Sequence, residues 1–390
     1  MSGGKIAKLV IILGMGLLVI SGCSKDGGGG WKAEVEIVNG VRTVKNPETP
    51  RYGEFAFDLV EDLAIGDEKD EAYFLPGGAT VSIDDKGSLY VCDYDNRRVQ
   101  VFDRAGKFVR TLGRVGQGPG EYAFPSSVQL DEVGHVFIAS SGRSLVVYGQ
   151  DGLYQKNILL KTFLSRLILG PGGTIIGTTQ PNPHAEGGPK NELIQLGPDG
   201  ERLRTIAEFP VYGAINDLII NHWYTGGLSF CRRPGDSLYY GFPFNYTVYV
   251  ADSEGRQLLA FSKSEKAVAI SAEERDLTRK EGIFAWSGQG DPEKTDLGMP
   301  DHRPFFTRFF SDDLGRLYVV RSRPITEKDI TTSDVDVFSK DGLYLYRLTW
   351  PFLPQVIRDG FLYEVRQDEQ AGLTKIIRHR IENWGDFKDK

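Results

Sequence analysis

Five arginines and a set of aromatic side chains carry the strongest chemical suggestion in the sequence. Arg97, Arg143, Arg303, Arg321 and Arg323, with Tyr122, Trp223 and Tyr246 among the aromatics, fall between runs that alternate in strand fashion. A guanidinium offers a rigid fork of donors to carboxylate, sulfate or phosphate, and a ring offers a flat face for stacking. Such a set suits a small anion, a glycan or a peptide. The same arginines can equally pair with Asp of a neighbouring element. Glu121 lies in Gly116-Gln-Gly-Pro-Gly-Glu-Tyr122, which lacks the Gly-Lys-Ser/Thr ending of a phosphate loop. That segment reads as a shaped crossing with Glu121 capping backbone donors. Catalytic signals are sparse. The five histidines show no His-Glu-x-x-His spacing, and no Gly-x-Ser-x-Gly elbow occurs. His184, His222 and His302 are the three that could gather on one face and hold zinc. Asp93, Asp95 and Asn96 read as a local turn rather than a calcium site.

Composition bounds the architecture that must position these residues. The chain has 390 residues, 47 of them Gly, with 40% hydrophobic and 25% charged residues. Gly is enriched over the usual ~7%, which predicts short strands and tight turns. The balance excludes a disordered chain and a multi-span membrane protein. Three Cys exclude a disulfide scaffold and a thiolate zinc cluster. A net charge of −7 argues against a nucleic-acid partner.

The N-terminus reads as an address. Lys5 and Lys8 precede an apolar run, Leu9 to Ile20, too short to cross a bilayer as a helix but suited to a signal peptide. It ends in Ile20-Ser-Gly-Cys23, which resembles the bacterial lipobox. That implies removal of residues 1–22 and lipid attachment at Cys23. Residues 23–30 are a flexible tether. The expected location is the cell envelope, lipid-anchored, facing periplasm or exterior. Cys92 and Cys231 read as apolar strand cysteines.

The body is a repeat. A turn followed by an aliphatic and an aromatic residue recurs six times: at Gly87-Ser-Leu-Tyr90, Gly134-His-Val-Phe137, Gly173-Thr-Ile-Ile176, Asp236-Ser-Leu-Tyr239, Gly315-Arg-Leu-Tyr318 and Gly360-Phe-Leu-Tyr363. A second turn, of the type Asp103-Arg-Ala-Gly106, follows five of them. Four strands per repeat and six repeats predict an all-β, six-bladed propeller. The missing turn leaves the last blade with three strands, and the lone stretch Phe55 to Ile65 is expected to supply its fourth. Residues 52–385 are then one propeller. Residues 31–51 form a hairpin on its wall, with an Asn39-Gly40 turn. Residues 263–304 are an insertion with a short helix opened by the capping box Ser271-Ala-Glu-Glu274.

Leu89-Tyr-Val-Cys-Asp93 through Arg97-Arg-Val-Gln-Val-Phe-Asp103 resembles the NHL repeat. Arg114-Val-Gly-Gln-Gly-Pro-Gly-Glu-Tyr122 and Asp312-Asp-Leu-Gly-Arg-Leu-Tyr-Val319 resemble exported six-bladed propeller lipoproteins of bacteria. The resemblance implies a propeller; some related propellers are lyases or lactone hydrolases that hold a metal at the channel.

Both tight turns of a blade share one face, so the longer segments collect on the other, where function usually resides. The expectation is a monomeric, non-catalytic propeller without cofactor. It would bind an anionic small molecule, a glycan, a peptide or an envelope protein through that long-loop face. The alternative is a metal-dependent hydrolase or lyase at the channel mouth.

Overall fold

The computed structural model describes residues 30–67, 69–180, 186, 190–212, 214–215, 218–221, 227–281, 284–285, 298–327, 331–368 and 371–389. The leader, Cys23, His184, His222 and Trp223 lie outside the described residues.

Six four-stranded antiparallel units form a ring. Blade one runs Ala79–Ile83, Leu89–Asp93, Arg98–Phe102 and Phe108–Leu112 from channel to rim. Blade two starts at the inner strand Pro125–Leu130, blade three at Arg166–Leu169, blade four at Ser229–Arg233, blade five at Phe306–Ser311 and blade six at Val356–Arg358. The sixth blade continues with Phe361–Asp368 and Leu373–Ile381, and its outermost strand is Leu59–Ile65. That strand pairs antiparallel with Leu373–Ile381, Ile65 opposite Ile376. The ring is therefore closed by the N-terminal strand, and blade six keeps no three-stranded open edge to aggregate.

The residues before the closing strand wrap the rim. Glu34–Val38 and Val41–Asn46 form a hairpin, the second strand lying parallel to Gln257–Lys263 of blade four. Glu54–Phe55 then pairs parallel with Tyr344–Trp350 of blade five.

Burial explains why the strands read as they do. Leu89–Asp93, Val136–Ser140 and Ile175–Thr178 are buried throughout. Each such strand packs on both faces, so its apolar pattern is continuous rather than alternating. Leu89 and Val91 face blade six, whereas Tyr90 and Cys92 face blade two. Among the described residues the core is six clusters, each at one junction between neighbouring blades.

The tight turns are fixed by their first residue. Asp103 accepts from the backbone N–H of Ala105 and Lys107, both at 2.9 Å. Asp252 does the same for Glu254 and Arg256. In the insertion, the helix Ala272–Glu281 begins with reciprocal bonds: Ser271 N–H donates to Glu274 Oε2 at 2.9 Å, and Glu274 N–H donates to Ser271 Oγ at 3.1 Å. Both satisfy donors that a helix start leaves open.

Candidate functional site

The long-loop face gathers the sequence-derived candidates but spends most of them. Arg321 pairs with Glu265 and lies 4.0 Å from Asp336. Arg323 pairs with Asp334 at 3.3 Å, and Arg303 with Glu274 at 3.2 Å. Tyr246 is buried and donates to Asp336 Oδ2 at 2.6 Å. Tyr122 is buried too, donating to Leu112 O at 2.7 Å and accepting from Val99 N–H. Glu121 accepts from Gly118 N–H at 2.9 Å and from Arg114 at 2.7 Å. That backbone donor, reinforced by Arg114, lowers its pKa.

Two of the five arginines differ. Arg97 and Arg143 each sit one residue before the third strand of their blade. Both are exposed, and neither has an ion pair among the described residues. Each guanidinium lies over a ring delivered by the crossing to the next blade, Arg97 at 5.4 Å from Phe124 and Arg143 at 5.5 Å from Phe163. Phe124 is 60% exposed.

Of the three candidate zinc ligands, only His302 is described. Its Nδ1 lies 2.8 Å from the carbonyl of Arg303, and its ring packs against Phe244 and Phe305. Among the described residues no three His, Cys, Asp or Glu side chains converge as metal ligands would. Cys92 and Cys231 are free thiols, each pushed up to about 12, chiefly by burial.

A cavity lies elsewhere among the described residues. It has a volume of about 560 Å³ and opens at the tight-turn mouth of the central channel. Every blade contributes to its lining, through Ser82, Gln129, Leu169, Arg232, Ser311 and Gln355. None of the sequence-derived ligand-binding candidates that are described lines it. Arg232 of blade four reaches Glu132 of blade two at 2.5 Å, and Arg358 pairs with Asp85. Both pairs are partly exposed, so each is worth at most about 1 kcal/mol. Burial pushes the Asp313 pKa up.

Beneath this mouth, the free edge of each inner strand needs partners for its backbone. Side chains of the preceding blade supply many of them. Ser82 donates to Val128 O at 2.7 Å. Gln129 donates to Leu167 O and accepts from Leu169 N–H, at 3.0 and 2.8 Å. Arg166 donates to Phe230 O at 3.2 Å, and Ser229 to Thr307 O at 3.2 Å. Gln355 accepts from Val81 N–H and donates to Ala79 O, passing from blade six to blade one.

Comparison with known proteins adds the family. The model of a domain of unknown function, DUF4934, matches residues 69–283, more than half of the 390. The chain belongs to the DUF4934 family. No curated protein matches this DUF4934 chain in sequence. Among solved structures, it is similar to a Bacteroides fragilis protein described as exported, with a TM-score of 0.53 at 14% identity, over 87% of this chain and 99% of that one. A virginiamycin B lyase of Staphylococcus aureus gives a TM-score of 0.42 at 12% identity, covering 83% and 99% of the two chains. The calcium-binding protein regucalcin of Agrobacterium tumefaciens gives 0.40 at 14%, covering 84% and 96%. At 14% identity the likeness to the exported protein concerns the fold of the DUF4934 chain and nothing of its chemistry.

Proposed function

We propose that this chain is an extracytoplasmic β-propeller, lipid-anchored at Cys23, that binds a ligand or partner through its long-loop face without turning it over. The carrying observation is the pair Arg97 and Arg143. They occupy the same position in adjacent blades, lack a carboxylate partner among the described residues, and lie over aromatic rings. Forked donors beside flat faces suit an anionic glycan or an acidic peptide segment. Arg303, Arg321 and Arg323 act in this reading as struts that hold the insertion and blade five in place. The signal peptide 1–22, the tether 23–30 and the NHL-type character of the repeats belong to the same proposal.

The test is retention on alginate and heparin columns. The parent protein should be retained, and Arg97→Ala combined with Arg143→Ala should lose at least tenfold in affinity with an unchanged Tm. Equal retention of parent and variant, or none by either, overturns the reading. Stoichiometric zinc or calcium in protein purified without chelator would instead favour the metal-dependent alternative. Labelling with radioactive palmitate, abolished by Cys23→Ala, tests the anchor.

A further inference from the structure

We infer that the central channel holds a site for a single small oxyanion, a carboxylate or phosphate group, between Arg166 of blade three and Arg308 of blade five. It does not depend on Arg97 and Arg143 and stands without that reading. The two arginines share a level in the ring. Each lies four residues before the turn that ends its inner strand, Gly170 and Asp312 respectively. Each also lies three residues deeper than a cavity-lining neighbour, Leu169 or Ser311. At a strand rise of ~3.3 Å per residue, both are roughly 10 Å below the tight-turn mouth.

The charge there is uncompensated. The six inner strands contain no Asp or Glu. Arg166 uses one donor on Phe230 O, and its guanidinium lies 4.8 Å from the Phe230 ring. Arg308 interrupts the belt of side chains that passes from blade to blade. Its side chain makes no hydrogen bond or ion pair among the described residues, and its Nε is buried without a partner. Arg166 is exposed to solvent, whereas Arg308 is half-buried. Desolvation lowers the pKa of both arginines, and the charge of Arg166 lowers that of Arg308 further. Of the six carboxylates at the mouth, Asp131 accepts from Val133 and His135 N–H and Asp313 accepts from Asp359 N–H, its Oδ1 having no partner. Asp84 and Asp312 are committed to backbone N–H groups of their own turns, Asp85 to Arg358 and Glu132 to Arg232.

Arg308 is half-buried with its Nε unpartnered, and a desolvated, unpaired cation is costly. An oxyanion between the two guanidinium forks would relieve that cost and take up the open donors. The cavity above leaves room for the body that carries the anionic group.

Inorganic phosphate and glucuronate separate the two sources of that chemistry. Each is titrated as its sodium salt into the purified protein, against chloride at matched ionic strength, by calorimetry and thermal unfolding. At least one should bind saturably at one site and raise Tm. Arg308→Met should weaken that binding at least tenfold while unfolding, without anion, at or above the parent Tm. Arg166→Met should weaken it comparably. If Arg308→Met does not fold, Arg308→Lys keeps the charge but loses the fork, and should also weaken binding. Absence of saturable binding by either probe, or undiminished binding in the folded variants, overturns the site.

Discussion

A guanidinium in a protein interior is defined by what stands opposite it, and that separates the arginines of this chain more sharply than their positions do. Arg321 and Arg323 have carboxylates; Arg97 and Arg143 have rings; Arg308 has neither. Sequence alone could place Arg97 and Arg143 on loops, because Gly and Asp mark the turns around them. It could not show which arginines were paired, since Glu265 and Asp334 meet their partners only through tertiary packing. Arg166 and Arg308 are not legible as site residues because they lie inside strand-like runs. Their common spacing from the following turn was the available signal. Glycine shows the same dependence on surroundings. Gly200 has φ of +85°, and a Cβ there would come 2.3 Å from Leu159 O of the preceding blade. Gly200→Ala must move rigid backbone as well as occupy the left-handed region, which alone costs about 1–2 kcal/mol. Denaturant unfolding should show a loss of at least that size, whereas Gly172→Ala, also at positive φ but in open space, should show only the conformational part.

At the level of elements, the junction between blades four and five is ionic as well as apolar. Lys263 has no exposed side-chain surface and bonds Asp336 and Glu265, each at 2.6 Å. Tyr246 and Tyr344 also donate to Asp336. Burial alone would raise the Asp336 pKa, but the charges of Lys263 and Arg321 outweigh it and hold the group below its usual value. Its contribution is therefore complete above the unfolded pKa of about 3.9 and disappears as pH falls through the lower folded value. Unfolding free energy should be level near neutrality and fall below about pH 4, and Asp336→Asn should flatten that fall. Removing only the cation, as in Lys263→Met, leaves a buried carboxylate and should cost roughly 3–5 kcal/mol. Lys263→Met combined with Asp336→Leu should recover much of the loss. None of this was legible in the sequence, because Lys263 and Asp336 are 73 residues apart.

For the whole molecule, the repeat count carried the architecture. Six first turns against five second turns implied a borrowed strand, and Leu59–Ile65 is that strand. Turn residues are legible because they must satisfy local backbone demands; the identity of the neighbour across a blade junction is not. Deleting residues 30–65 should expose the edge of Leu373–Ile381, and size-exclusion chromatography should then show larger oligomers than the undeleted chain gives. The path of the N-terminal segment also sets the molecule's response to force. From residue 34 onward it is fastened first to blade four, then to blade five, and only then forms part of blade six. A pull from the membrane side would strip the hairpin and the two-residue contact before it could load the closing strand. These attachments would act as mechanical fuses in series: under the proposed anchoring at Cys23, the chain would yield length at its base while the ring stays shut.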